Sequence, residues 1–499
     1  MRYVIGIDLG TSGVKLLLVN EAGEVCQEVS RSYPLLQEKD GHCEQDPELW
    51  VKKTTEALAE LVSAFPGRVE EIEGLSFSGQ MHGLVLLDEQ QRVLRHAILW
   101  NDTRTTEQCR FITERIGEET LLQLAKNRAL EGFTLPKLLW VKQHEPELFR
   151  QAKLFLLPKD YLRFRLTGKL NSEYSDAAGT LLLEVGAKRW SPQICEQLDI
   201  PLEICPPLVE SHACVGTITA EIAEMTGLAK STKVFAGGAD NACGAIGAGV
   251  LAEGKTLCSI GTSGVVLAYE RSADVQFAGQ LHCFDHAEEA AYYSMGVTLA
   301  AGHSLSWFRE TFAETEKMDH LLARVGEVPI GANGLLFTPY ITGERTPHAD
   351  AAIRGSFIGI DSKHTKADFA RAVMEGITFS LKQTIELLQD SGKPIREVVA
   401  IGGGAKNAEW LQMQADIFQT DVVKLSSEQG PALGAAMIAA YGCGWFASLQ
   451  ACADRFLQVV ETYRPIADNV QRYRALYQLY KQVYDQTKDL SHALARFRA

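Results

Sequence analysis

The sequence has no long run free of charged residues, no Cys-x-x-Cys pair, no His-Glu-x-x-His and no low-complexity tract. The first absence leaves no candidate for a membrane-spanning helix, which needs about 20 apolar residues in a row. The next two remove the usual zinc-ligand spacings, so no structural metal is expected. The eleven cysteines are an odd number and scattered, and Cys195, Cys258 and Cys283 lie in apolar runs. Buried, reduced thiols in a cytoplasmic protein are the expectation. Basic residues are the scarcer charge: 49 Lys and Arg stand against 63 Asp and Glu, for a net charge of −14. Nucleic acid and anionic membranes need basic surface, so neither is expected as a partner. An anionic substrate is not excluded, because local residues decide that. The chain starts in strand-like sequence at Tyr3, with no basic segment leading into an apolar one, so no signal peptide is expected.

What is present is a short phrase used twice. Leu9-Gly10-Thr11-Ser12-Gly13-Val14 returns as Ile260-Gly261-Thr262-Ser263-Gly264-Val265, half a chain later. Each copy lies between apolar runs and reads as strand, small-residue turn, strand. Such a turn exposes backbone N–H groups and hydroxyls, which suit phosphate oxygens. One copy alone reads as an ordinary hairpin. Two in matching contexts point to a duplicated domain in a chain of 499 residues, with a ligand cleft between the halves.

Taken in order, Tyr3–Ile7, Val14–Asn20 and Val25–Tyr33 read as a three-stranded meander, with the carboxylate of Asp8 ending the first strand. Asp46-Pro47-Glu48 starts a helix: Asp46 caps it and Pro47 fits its first position. Glu73–Ser78 reads as a buried strand that runs into Gly79-Gln80-Met81-His82-Gly83. Polar residues flanked by glycine at a strand end sit where open α/β sheets place ligand groups. Ala97–Arg104 gathers Trp100, Asn101, Asp102 and Arg104 into eight residues. Residues 105–150 read as amphipathic helices, interrupted at Gly132–Trp140 before a helix to about His144.

Lys233–Ala236 is a short strand entering Gly237-Gly238-Ala239-Asp240-Asn241. There one carboxylate, Asp240, opens a helix of small residues that let other atoms approach it closely. The boundary between halves is expected between Asn241–Gly249 and Thr256, with Gly249 and Gly254 as hinge positions. Lys366–Leu388 reads as a long helix. The strand Val398–Ile401 ends in Gly402-Gly403-Gly404 ahead of another helix, a turn that admits a flat or anionic ligand. Gly430–Ala436 starts a small-residue helix expected to pack against that turn. From about Asp468, Val470, Tyr473, Tyr477, Tyr480 and Tyr484 mark one terminal helix.

Two longer patterns carry a resemblance. One is Gly132-x-Thr134-x-x-Lys137-Leu138-x-Trp140-Val141-x-Gln143-His144. The other runs from Gly355-x-Phe357-x-Gly359-Ile360 to Asp368-Phe369-x-x-Ala372-Val373-Met374-Glu375. With them the chain resembles the FGGY carbohydrate kinases over nearly its whole length. The resemblance implies an α/β protein of two ribonuclease H-like domains, the fold of actin, hexokinase and the 70-kDa chaperone ATPases, with the ligand cleft between them. It divides the chain into a sugar-binding domain, 1–247, and a nucleotide-binding domain with the terminal helix, 248–499. Ser78–Gly83, Leu99–Arg104 and Gly343–His348 are most similar to the members that phosphorylate D-xylulose in pentose catabolism. Glycerol-specific members have an Arg-Glu pair near Met81-His82. Gluconate-specific members share Met-His with a different flank, and Gly79-Gln80 favours the xylulose branch.

The resemblance assigns roles residue by residue. Asp240 is the general base and Asp8 acts through Mg²⁺, by way of water. Thr11, Ser12, Gly13 and Lys15 form one phosphate loop; Gly261, Thr262 and Ser263 form the other. Gly403, Gly404 and Asn407 line the adenosine site of ATP. Met81, His82, Asp240 and Asn241 hold the sugar. It admits a homodimer. An actin- or chaperone-like ATPase explains the hairpins and the triple glycine, but not Gln80-Met81-His82 or Asp240-Asn241. A Rossmann dehydrogenase lacks its glycine spacing here, and a pure sugar-binding module needs no second phosphate loop.

Overall fold

Alternation along the first strand decides which side chains reach the cleft. The computed structural model describes residues 1–275 and 277–498. In it β1 (Tyr3–Leu9) turns Ile5, Ile7 and Leu9 into one core and Val4 into another. Side chains alternate between faces along a strand, so Gly6 and Asp8 share the face of Val4. A hairpin joins β1 to β2 (Gly13–Asn20), which pairs with β3 (Val25–Ser32). β4 (Ile72–Gly79) lies parallel to β1, and β5 (Cys214–Thr217) and β6 (Lys233–Phe235) extend the sheet beyond it. The order is β5-β6-β4-β1-β2-β3, with the two-residue strand Gly238–Ala239 beside β4.

The second sheet is built from β7 (Lys255–Ile260), β8 (Gly264–Glu270), β9 (His282–Asp285), β10 (Tyr292–Thr298), β11 (Glu397–Gly402), β12 (Asp421–Leu425) and β13 (Val459–Tyr463). Its order is β9-β10-β8-β7-β11-β12-β13. In both sheets an antiparallel meander is followed by two parallel strands and closed by an antiparallel edge strand. The ribonuclease H-like order is therefore present twice, and the two GTSG turns occupy the same place in each copy.

Eight helices matter for the site. α1 (Pro47–Ser63) begins as expected, with the Asp46 carboxylate accepting from the Glu48 amide at 3.0 Å. α2 (Thr134–His144) corrects the reading of Gly132–Trp140 as an interruption: the helix starts at Thr134 and Pro136 lies in its first turn. A proline there removes an N–H that has no intrahelical partner anyway. α3 (Asp240–Gly247) opens on Asp240 itself. α4 (Gly302–Phe312), α5 (Lys366–Asp390), α6 (Ala408–Phe418), α7 (Gly430–Gly442) and α8 (Ala467–Leu494) belong to the second half of the sequence. α8 docks Tyr473, Tyr477 and Tyr480 around Phe379 of α5.

α7 is placed differently from the expectation. It packs on α3, β1 and β4, across the inner face of the first sheet, and not against the triple-glycine turn. Its small residues match those of its partners. A Cβ on Gly434 would lie 1.9 Å from the Cys243 carbonyl oxygen, and one on Gly6 would lie 2.0 Å from that of Ala432. Contact this close between backbones requires glycine. α3 and α7 thus form a middle layer between the two sheets. Their core includes Val4 and Leu17 from one sheet, Leu257, Leu267 and Val399 from the other, and Ala242, Ile246 and Ala435 from the helices. All eleven cysteines are free. Among the described residues no helix is long and apolar enough to cross a membrane.

Candidate active site

Asp8 is the last residue but one of β1 and lies on its inner face, opposite Lys15 of β2 and Ser78 of β4 in the strand register. Burial pushes its carboxyl upward, while the Ser78 hydroxyl and the Lys15 charge draw it down. The Lys15 ammonium is itself engaged by Glu28 at 3.2 Å. The first GTSG turn is closed by the Gly10 amide donating to the Gly13 carbonyl at 3.0 Å. Thr11 ties this turn to two stretches far away in sequence. Its hydroxyl donates to Gln80 Oε1 at 3.1 Å and accepts from Trp100 Nε1 at 2.9 Å. The second turn is closed one residue earlier, by the Gly261 amide donating to the Ser263 carbonyl at 3.0 Å. The first amides of α4 also reach it: Gly302 donates to the Gly261 carbonyl at 2.8 Å and His303 to that of Thr262 at 3.1 Å.

The second turn separates two cavities. One, of about 210 Å³, is lined from the first half by Met81, His82, Trp100, Phe133, Asp240 and Asn241, and from the second by Ser263, His282, Phe284 and Arg345. The other, of about 300 Å³, is lined by Gly261, Thr262, His303, Gly403, Gly404 and Trp410. Ser263 thus faces the chamber of Asp240, while Gly261 and Thr262 face that of the triple-glycine turn. Thr11, Ser12, Gly13 and Lys15 line neither chamber. Asn407 does not line the second: its side chain accepts from the Trp410 amide at 2.9 Å and caps α6.

The first chamber has an uneven charge pattern. Burial, and then the nearby Asp8 charge, push the Asp240 carboxyl up to about 7, although the Asn241 amide donates to Oδ1 at 2.7 Å. The Asn241 side-chain amide also reaches Met81 Sδ at 3.6 Å. His82, at φ +70°, is 2.6 Å from the Gly179 carbonyl through Nδ1, so Nδ1 carries the proton. Burial holds its pKa down at about 3, assisted by the charges of Lys137 and Arg345. His282 is likewise down at about 3 and meets Asn127 Oδ1 through Nδ1 at 2.8 Å. Both imidazoles are neutral near pH 7.

Lys137 explains part of the first long pattern. Its buried ammonium donates to the carbonyls of Glu131 at 3.0 Å, Phe133 at 2.8 Å and Gly132, which holds the loop that carries Phe133 into the chamber. Burial brings its pKa down to about 7. Behind Asp240 lies a buried polar network. Lys159 Nζ is 2.7 Å from Asp160 and 3.1 Å from Glu173, and Glu173 accepts from Ser175 and Ser211, each at 2.8 Å.

Sequence reasoning did not name His282, Phe284, Trp100, Lys137 or Arg345 as site residues. Trp100, Lys137 and Arg345 lay within segments it had singled out. His282 and Phe284 carried no signal, because only pairing in the second sheet brings them to the cleft. Asp102 and Arg104 of the Trp100 segment are tied to each other, Arg104 Nε to Asp102 Oδ1 at 2.8 Å, and line neither chamber.

Residues 3–247 match the N-terminal domain of the FGGY family of carbohydrate kinases, and residues 256–443 match its C-terminal domain. The chain belongs to the FGGY carbohydrate kinases. This carbohydrate kinase is 61% identical over 498 residues to xylulose kinase of Bacillus subtilis, covering 100% of both chains. Its fold superposes on ligand-bound xylulose kinase from Lactobacillus acidophilus with a TM-score of 0.93 at 29% identity, over 98% of this chain and 99% of that one. Gluconate kinase from the same species gives the same TM-score, 0.93, at 29% identity over 100% of both chains. The architecture is thus the two-domain, actin- and hexokinase-like one.

Proposed function

We propose that this carbohydrate kinase transfers the γ-phosphoryl group of ATP to the terminal hydroxyl of D-xylulose, giving D-xylulose 5-phosphate. The observation that carries the chemistry is the placement of Asp240. It opens α3 inside a chamber built from both halves, opposite Ser263 of the second phosphate turn. A sugar hydroxyl is a weak nucleophile and needs a carboxylate to orient it and take its proton. With its pKa up at about 7, Asp240 is a better proton acceptor than an exposed aspartate. Identity of 61% over the full length to a xylulose kinase supports the choice of sugar, since the gluconate kinase shares the fold equally well.

In this reading the sugar occupies the first chamber, against Met81, His82, Asp240 and Asn241. The nucleotide occupies the second, with adenosine against Gly403 and Gly404 and the phosphates at Gly261, Thr262 and Ser263 and at the first turn, Thr11–Gly13 with Lys15. Asn407 acts there indirectly, by fixing the start of α6. Residues 1–247 supply most of the sugar site and 248–499 most of the nucleotide site. Mg²⁺ fits the first turn: Asp8 is a hard oxygen donor beside hydroxyl groups, and the neighbouring cation, Lys15, is already held by Glu28. Asp8 would hold the ion through water, and the ion would neutralise charge on the phosphates. Closing the two halves over both ligands excludes water, the competing acceptor.

The test is a coupled ATP-consumption assay over pentuloses, polyols and gluconate. D-Xylulose is expected to have the highest kcat/KM, and a higher value for gluconate overturns the assignment. Asp240→Ala is expected to lose sugar phosphorylation by about 10² to 10⁴-fold while still binding ATP. Substantial turnover in that variant removes Asp240 as the base.

A further inference from the structure

Arg345 comes from the second half of the chain, yet its side chain lines the chamber of Asp240. Its backbone is pinned on both sides. The Glu344 carboxylate accepts from the amides of Arg345 at 2.8 Å and Leu299 at 3.2 Å, and from the Ser380 hydroxyl at 3.1 Å. Thr346 exchanges two hydrogen bonds with Val297 of β10: its amide donates to the carbonyl at 3.0 Å, and its hydroxyl accepts from the amide at 3.1 Å. The guanidinium is different. Among the described residues, no hydrogen bond or ion pair ends on it. A guanidinium is always charged, offers five donors and accepts nothing. Arg345 is half-buried, and with no protein partner its guanidinium is free to meet a ligand that enters the chamber.

Arg345 shares the chamber with His82 and His282, and its charge helps hold both imidazoles below their ordinary range. The two histidines are neutral, and each has Nδ1 engaged, by Gly179 or by Asn127. Each Nε2 is then left as an acceptor. The chamber thus combines a planar fork of donors with two imidazole acceptors.

We infer that Arg345 selects the ketose: its guanidinium donates to the carbonyl oxygen and adjacent hydroxyl oxygen of the sugar whose terminal hydroxyl lies at Asp240. A carbonyl and its neighbouring hydroxyl present two coplanar acceptors, which match the fork in a way that a reduced polyol chain does not. The second half of the chain thus reads the identity of the sugar, as well as holding the nucleotide. This inference rests on D-xylulose being the substrate.

The experiment compares Arg345→Met and Arg345→Lys with the unaltered enzyme on D-xylulose, xylitol and D-gluconate. The wild-type panel tests the substrate assignment, and the variants tested against wild type check the role of Arg345. Arg345→Met is expected to raise KM for D-xylulose by at least about tenfold, with a smaller change in kcat. The ratio of kcat/KM for xylulose over xylitol is expected to fall by a similar factor. Arg345→Lys keeps the charge and the fold but lacks the fork, and is expected to leave that ratio depressed. An equal loss on xylulose and xylitol in both variants overturns the inference and leaves the substrate assignment standing. A wild-type preference for gluconate overturns both. If Arg345→Met fails to fold, the xylulose-to-xylitol ratio of Arg345→Lys decides alone.

Discussion

The hydroxyl of Ser175 accepts a hydrogen bond from the amide of Ala239 at 2.9 Å, one residue before Asp240. The same hydroxyl donates to Glu173, which Lys159 holds at 3.1 Å in a fully buried setting. The start of α3 is therefore fixed by side chains that touch neither chamber. Ser175→Ala is expected to lower kcat by about tenfold or more, because small misplacements of a reacting group are costly. KM for the sugar is expected to change less than kcat, since Met81 and His82 are untouched. Steady-state kinetics separates this from simple destabilisation, which leaves kcat per folded molecule unchanged.

The raised pKa of Asp240 sets a pH dependence. The base must be ionised, so kcat/KM is expected to fall as pH drops below about 7. Stability responds with the opposite sign. A carboxyl whose pKa is higher in the folded state than in the unfolded one contributes stability below the ordinary range, near 3.8, and loses it as pH rises through about 7. Asp240→Asn is thus expected to melt at a higher temperature than the wild type at pH 8 and to be inactive. A lower melting point for the variant contradicts this account.

His82 and His282 act at the other end of the scale. Both are held neutral, with pKa values near 3 in the folded protein against an ordinary 6.5. Their contribution is intact above 6.5 and is lost as pH falls toward 3, because the unfolded chain takes up the protons first. Melting temperature followed from pH 7 to pH 4 is expected to decline less steeply in His282→Gln than in the wild type.

Gly434 tests the middle layer. A Cβ there would stand 1.9 Å from a backbone oxygen of α3, so Gly434→Ala must push α7 and α3 apart. The expected cost is at least about 3 kcal/mol, read by chemical denaturation. Gly186→Ala is the control. Its added Cβ would meet Ala273 Cβ at 3.7 Å, an ordinary contact, and the expected change is within about 0.5 kcal/mol.

Much of this architecture was legible locally. The meander, the two turns, the start of α1 and the opening of α3 at Asp240 follow from period-two patterning, small-residue turns and caps, all of which act over a few residues. Two misreadings have local causes as well. Gly132–Trp140 was read as an interruption, although a helix starts within it at Thr134 and its first turn tolerates Pro136. The small residues of α7 were matched to the nearest glycine-rich turn in sequence, whereas their partners, Gly6 and Cys243, lie in the first half of the chain. Asn407, expected at the adenosine site, also caps α6, a role its residue type favours. The charge at Arg345 and the neutral pair His82 and His282 needed the tertiary structure. Their chemistry depends on what surrounds them, and those neighbours come from elements far apart in the sequence.

The seating of α7 against β1 and β4 also imposes an order on biosynthesis. The first sheet cannot cover its inner face until a helix encoded about two hundred residues after α3 has left the ribosome. At usual elongation rates that is a delay of roughly 10 to 40 s. Through that interval the nascent N-terminal half carries an uncovered apolar surface that includes Val4, Leu17 and Val19. Its completion is then a long-range event, and a helix of the second half is what makes the beginning native.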